Sequence, residues 1–179
     1  AFYPGVAGAV PLAQTLYGDA NRWSKLPYTP LGTGFTAEQE MKDMNMTDGV
    51  GRTYKYYTGE PLFAFGHGLS YTSFTYAWGE TGGLHGPVAL DEPTAAVVMS
   101  VVVTNAGAVA GAEIVQLYVR YPPSAGEPPS GVLRAFKKTR VLQPGESQTV
   151  AFTLAERAVS VWSESSSMWT RNSRMATGS

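Results

Sequence analysis

The side chains that could carry chemistry are few and scattered. Of the 14 carboxylates, those weighed for chemistry are Asp19, then Glu38, Glu40, Asp43 and Asp48 in one polar stretch, then Glu113 at the head of an alternating apolar run. Acid–base hydrolysis needs two carboxyl groups held at a set separation by a recognisable context. None of these has such a context. Asp19 follows Gly18 and reads as the cap of a turn, Glu113 opens a strand, and the other four belong to a loop. The two histidines are His67, between Gly66 and Gly68, and His85, in a Gly-rich stretch. Neither has a partner at the spacing of a base or a metal ligand. With no cysteine in the chain, disulfides, thiolate metal sites and cysteine nucleophiles are excluded. No catalytic residue, metal site or cofactor is therefore assigned.

Three groups can bind or be modified rather than react. Arg52 stands beside Tyr54, Tyr56 and Tyr57. A guanidinium with flat rings can hold sugar hydroxyls and stack on a pyranose, or the rings can anchor an extended segment while Arg52 satisfies carbonyls. The second reading is favoured, because aromatic side chains are packing residues first. Arg52 and Tyr54 stay as the substrate-binding candidates. Trp162 and Trp169 could form a carbohydrate platform, but inward packing in a sheet is the simpler reading. Asn45-Met46-Thr47 fits the N-glycosylation acceptor pattern.

The elements that must position these groups fall into two unlike halves. Residues 1–50 hold one helix, expected from Pro11 to Tyr17, with Pro near its first turn and Gly18 as its stop. Leu12 and Leu16, with Ala13, would be its buried stripe. One short helix cannot offset its own ordering cost, so this half needs a partner surface. Without one, the chain is expected to self-associate. Thr36 to Met46 is a polar helical turn or a loop. Residues 51–93 read as an extended aromatic connector and a breaker-rich linker, with Phe63, Phe65, Tyr71, Phe74 and Tyr76 as anchors.

From residue 94 the period becomes two. Val97, Met99, Val101 and Val103 share one face of a strand over Ala96 to Thr104; Val115, Leu117 and Val119 share one face of another over Glu113 to Tyr121. Short strands are expected at Val132 to Phe136, Thr139 to Leu142, Gln148 to Leu154, Val159 to Trp162 and Met168 to Thr170. Gln143-Pro144-Gly145-Glu146 has the Pro and Gly of a type II turn. Short alternating strands separated by turns predict a β-sandwich over 94–170, followed by a polar tail over 171–179.

Composition agrees with a β-rich chain. Charged residues make up 15% of its 179 residues, below the roughly 25% of average soluble proteins. Polar surface must come from Gly, Ser, Thr and Asn. The formal net charge is −1, and the densest basic cluster is Lys137, Lys138 and Arg140. A nucleic-acid partner needs a larger basic footprint. No apolar run reaches the length of a membrane span.

One stretch is long and unusual enough to carry a family resemblance. Gly51-Arg52-Thr53-Tyr54-Lys55-Tyr56-Tyr57-Thr58-Gly59-Glu60-Pro61, continuing through Phe65-Gly66-His67-Gly68-Leu69-Ser70-Tyr71-Thr72-Ser73-Phe74, resembles a signature of glycoside hydrolase family three. Asp43-Met44-Asn45-Met46 is similar to the plant and algal β-xylosidase branch. Tyr3-Pro4-Gly5 through Leu16-Tyr17-Gly18-Asp19-Ala20-Asn21 and Lys25-Leu26-Pro27 resemble the end of the family's α/β sandwich domain. Glu113-Ile114-Val115-Gln116-Leu117-Tyr118-Val119, Leu133-Arg134-Ala135-Phe136 and Val159-Ser160-Val161-Trp162 resemble its closing fibronectin type III-like domain. The departures are Gly8-Ala9 for a glycine pair, Pro11 inside the helix, Arg22-Trp23 for Pro-Ser, and a polar end where a final strand is expected.

The resemblance implies a mainly β fold. A fibronectin type III-like, immunoglobulin-like sandwich would follow the tail of an α/β sandwich domain and the aromatic connector. It implies a parent that hydrolyses β-linked xylosyl or glucosyl units, as in xylan catabolism, with an acid/base and a nucleophile in domains upstream of Ala1. This chain would then be inactive alone. Its partners would be the upstream barrel and α/β domains, and oligosaccharide substrate only through them. No nucleic acid or membrane partner is expected, and the setting would be extracellular. The alternative is a free-standing module that binds polysaccharide or protein through the sandwich.

Overall fold

A computed structural model describes residues 3–79, 97–121, 131–163 and 168–171, the side chains of 161–163 and 168–171 excepted. The expected linker over 80–93, the Pro-rich residues 122–130, and the polar tail beyond Arg171 lie outside the described residues. So do the side chains of Trp162 and Trp169.

A 3-10 turn at Val6–Gly8 leads into helix α1, Ala9–Leu16. The helix starts two residues before Pro11, a position that first-turn geometry tolerates because the missing N–H has no partner there anyway. Gly18 follows the end at φ 86, and the Ala20 N–H reaches back to the Gln14 carbonyl at 3.1 Å. The expected buried stripe is not buried here: Leu12 is 46% and Leu16 61% exposed, and Thr15 is the helix's one buried residue. Among the described residues no sheet lies under this face. Two single-turn helices follow, α2 at Phe35–Glu38 and α3 at Thr53–Tyr56. The second is a correction, since Thr53 to Tyr56 was read as extended. No helix among the described residues is long and apolar enough to cross a membrane.

The sandwich begins earlier than the change of period at residue 94. Strand β1, Phe74–Trp78, pairs antiparallel with β2, Val97–Asn105, and β2 pairs with β5, Ser147–Leu154. The connector thus supplies the edge strand of a sheet ordered β1-β2-β5. Phe74, Tyr76 and Trp78 alternate along it, a β pattern hidden within a longer aromatic run. A second sheet joins β3, Ile114–Val119, to β4, Val132–Lys138, with a register irregularity at Leu117/Tyr118. Strands β6, Ser160–Ser163, and β7, Met168–Arg171, form an antiparallel pair of their own. Thr139 to Leu142 is not a strand. It contributes one bridge, Gly111 to Leu142, while the Thr139 N–H is taken by the Glu113 carbonyl at 2.8 Å.

The inward faces are those the alternation marks. Val97, Met99, Val103, Val150, Phe152 and Leu154 of one sheet meet Val115, Val119 and Val132 of the other in one buried cluster, with Val101 and Leu117 packed at its edge. Burying each such aliphatic or Phe side chain stabilises the fold by about 1.5–3 kcal/mol. Between β4 and β5, Glu146 N–H donates to the Gln143 carbonyl at 2.9 Å. Gly145 adopts φ 77, the conformation a type II turn requires at that position. The Glu146 carboxylate holds the same turn. The Gln143 N–H first, and then Arg140, keep it below the usual carboxylate range.

Candidate functional site

The chemistry-bearing residues gather where the first 30 residues lie on one end of the sandwich. Asn21, just past the α1 stop, is the hub. Its Nδ2 donates to Ser70 Oγ at 3.0 Å and to the Ala110 carbonyl at 3.3 Å, and its Oδ1 accepts the Tyr71 N–H at 3.2 Å. Tyr71 closes the loop, its hydroxyl donating to the Thr15 carbonyl at 2.8 Å at the end of α1. Two backbone bonds of 2.8 Å, Leu26 N–H to His67 and Gly66 N–H to Leu26, pin the next segment to the Gly-rich turn. Gln116 of β3 then donates to the Gly66 carbonyl at 3.2 Å. A side chain at Gly66 would stand 2.4 Å from Gln116 Oε1, and φ there is 78, so both space and backbone call for glycine.

Glu113 is the electrostatic centre of this contact. It is only 7% exposed, and a carboxylate removed from water must be paired. Lys25 Nζ lies 2.9 Å from its Oε1, and the Ile114 N–H donates to the same oxygen at 2.6 Å. Tyr76 on β1 lies near the same carboxylate. Burial first, and then the negative charge of Glu113, push the Tyr76 phenol up to about 12. Three segments far apart in sequence therefore meet on one carboxylate.

Arg52 and Tyr54 face different partners. Arg52 Nη2 donates to the Glu40 carbonyl, its N–H to the Met46 carbonyl at 3.0 Å, and its buried Nε has no partner among the described residues. The neighbouring Thr53 has φ 59, a strained conformation for a β-branched residue. Tyr54 stacks on Phe65 with ring centroids 4.0 Å apart and meets the Tyr118 edge at 6.5 Å. Its hydroxyl accepts the Leu133 N–H at 3.2 Å, so it bridges the connector to β4. Burial, then Tyr54, raises the Tyr118 phenol above its usual range. Tyr57 packs edge-on against Phe35 at 5.8 Å, and His67 stacks on Phe63 at 5.3 Å. Asn45 is exposed in the loop between α2 and α3.

Several carboxylates are committed to structure. Glu113 and Glu146 are paired as described, Asp43 Oδ1 accepts the Asn45 N–H at 2.8 Å, and Glu40 Oε1 accepts the Lys42 N–H at 3.1 Å. A groove of about 330 Å³ opens between the sheets beside Tyr76, Trp78, Gln116 and Phe152. Sequence reasoning did not find Asn21, Glu113 or Tyr76 as a set. The only signal was polarity at the head of a strand, and their convergence is long-range.

The comparisons agree with this architecture. A fibronectin type III-like domain model matches residues 113–175. Beta-glucosidase cel3A of Pyricularia oryzae is 36% identical, over 93% of this chain and 25% of the relative. Among solved structures, beta-glucosidase D2-BGL from Chaetomella raphigera superposes with a TM-score of 0.72 at 32% identity, over 92% of this chain and 25% of that one. A GH3 exo-beta-xylosidase, XlnD, solved with a xylobiose aziridine activity-based probe, superposes with a TM-score of 0.74 at 25% identity, over 90% of this chain and 23% of that one. The chain belongs to glycoside hydrolase family three. It corresponds to the C-terminal region of the family's larger enzymes, and its sandwich is their fibronectin type III-like domain. It spans about a quarter of the length of each of these three relatives.

Proposed function

We propose that this chain is the non-catalytic C-terminal portion of a secreted exo-acting glycosidase for β-linked glucosyl or xylosyl units. In that reading it holds the end of an α/β domain against the fibronectin type III-like sandwich. The observation that carries it is the junction itself. The segment around Asn21 and Lys25 is bonded to the sandwich at Ala110 and Glu113, while the opposite, apolar side of α1 is exposed and suited to a further layer. The beta-glucosidases among the relatives favour glucosides, and Asp43-Met44-Asn45-Met46 favours xylosides. Of the two candidates, Tyr54 becomes an anchor of the connector on β4, and Arg52 a support of the loop from Glu40 to Met46. A purified chain should turn over neither aryl β-glucoside nor aryl β-xyloside. Turnover that disappears on substituting a residue of this chain would overturn the reading.

A second reading, sugar binding by the sandwich itself, has the Tyr76 and Trp78 groove in its favour. Retention of the chain on insoluble xylan or cellulose, lost in Trp78→Ala, would support it over the first.

A further inference from the structure

Asparagine occurs at positions 21, 45, 105 and 172, and Asn45 alone is followed at the second place by Ser or Thr. Its loop makes two Asx turns in succession. Asp43 Oδ1 accepts the Asn45 N–H at 2.8 Å, and Asn45 Oδ1 accepts the Thr47 N–H at 3.0 Å. The first shows that a carboxylate serves this turn as well as an amide does, so the turn itself does not explain asparagine at 45. It does not explain threonine at 47 either, since the turn needs only the backbone N–H of that residue.

What both side chains add is a third contact. The Thr47 hydroxyl lies 2.9 Å from the same Asn45 Oδ1 and donates to it. The carboxamide oxygen is thus held by two donors of one residue, while Nδ2 donates to no described residue. Asn45 and its neighbours from Met44 to Gly49 are exposed, in neither helix nor strand. Met44 stands 88% exposed beside it. An attached sugar would stand on this exposed loop, beside Met44.

From this geometry we infer that Asn45 is an acceptor for N-linked glycan. The donor class is an oligosaccharide on a polyprenyl pyrophosphate. The anomeric carbon–oxygen bond to pyrophosphate breaks, a bond from that carbon to Asn45 Nδ2 forms, one amide proton passes to a base of the transferase, and the lipid pyrophosphate leaves. The proposal rests on the secretory part of the function above only for where the chain meets such a transferase.

The test separates the two. The full chain is translated into endoplasmic-reticulum microsomes and, in parallel, secreted from yeast behind an appended signal peptide. Occupancy at Asn45 is read by endoglycosidase mobility shift and peptide mass spectrometry. Wild type and Thr47→Ser should carry glycan at Asn45, with the Ser form less occupied. Asn45→Gln and Thr47→Val should carry none. The microsome arm needs neither folding nor export, so a chain that secretes poorly still gives an answer. An unmodified Asn45 in wild type in the microsomes overturns the proposal. A native protein found inside cells overturns the secretory reading and leaves acceptor competence as measured.

Discussion

Replacing Asn105 by alanine is expected to cost about 3 kcal/mol of folding stability. Asn105 is 0% exposed, and each polar atom of its side chain is used twice. Nδ2 donates to the Val109 and Leu142 carbonyls, both at 2.9 Å. Oδ1 accepts the Thr72 hydroxyl at 2.6 Å and the Gly107 N–H at 3.1 Å. One amide therefore ties the lead-in to β1, the turn after β2 and the approach to β5. Four bonds at a net of about 1 kcal/mol each set the upper figure. The Leu142 carbonyl keeps the Gly111 N–H at 3.1 Å, and Val109 is exposed enough for water to reach its carbonyl, which lowers the total. Urea unfolding followed by tryptophan fluorescence is the assay. With a slope of roughly 2 kcal/mol per molar, the midpoint should fall by about 1.5 M with the slope unchanged. Asn105→Asp is the sharper probe. It keeps the shape, loses both donors and places a carboxylate against two carbonyl oxygens. Burial raises such a carboxyl's folded-state pKa above its unfolded value. Its stability should then be greatest below pH 4 and fall as pH rises towards 7, relative to wild type. A loss below about 1 kcal/mol in Asn105→Ala, or an Asp variant with no such pH trend, would refute the hub reasoning.

Further expectations follow from the junction. A phenol held at about 12 binds its proton above the pH at which an unfolded tyrosine releases it, so the contribution of Tyr76 is intact below pH 10 and lost as pH rises to 12. The ultraviolet titration of wild type minus Tyr76→Phe should show one tyrosine ionising near pH 12, and a difference centred at pH 10 would contradict the Glu113 contact. Lys25→Met strands the buried Glu113 carboxylate and should cost about 1–2 kcal/mol, more than Glu113→Gln; the reverse order in urea midpoints would mean that the pair is not what compensates the carboxylate. In hydrogen exchange of the full chain, amides of β2 and β5 should be the slowest and those of α1 among the fastest, because the helix carries exposed Leu12 and Leu16. Equal protection of α1 in a monomeric sample would remove the case for a missing layer over that face.

The strands could be read from sequence because a half-buried sheet imposes period two on its residues. Val97, Met99 and Val103, and Val150, Phe152 and Leu154, alternate in the chain and are buried in the structure. The turn at Gln143 to Glu146 and the helix stop at Gly18 were equally local, set by the backbone angles that Pro and Gly allow. Resemblance in the Gly51 to Phe74 stretch located the family. Edge strand β1 escaped because its alternating rings sit within an unbroken aromatic run, and α3 escaped because one turn is too short to show a period. Asn105, Asn21 and the meeting of Lys25, Tyr76 and Glu113 left no mark in any window of sequence. A buried amide looks like a turn residue, and a buried carboxylate looks like a polar strand head. What decides their roles is which distant carbonyl or charge lies within about 3 Å once water is excluded, and only the packing of the two sheets and the first 30 residues brings those groups together.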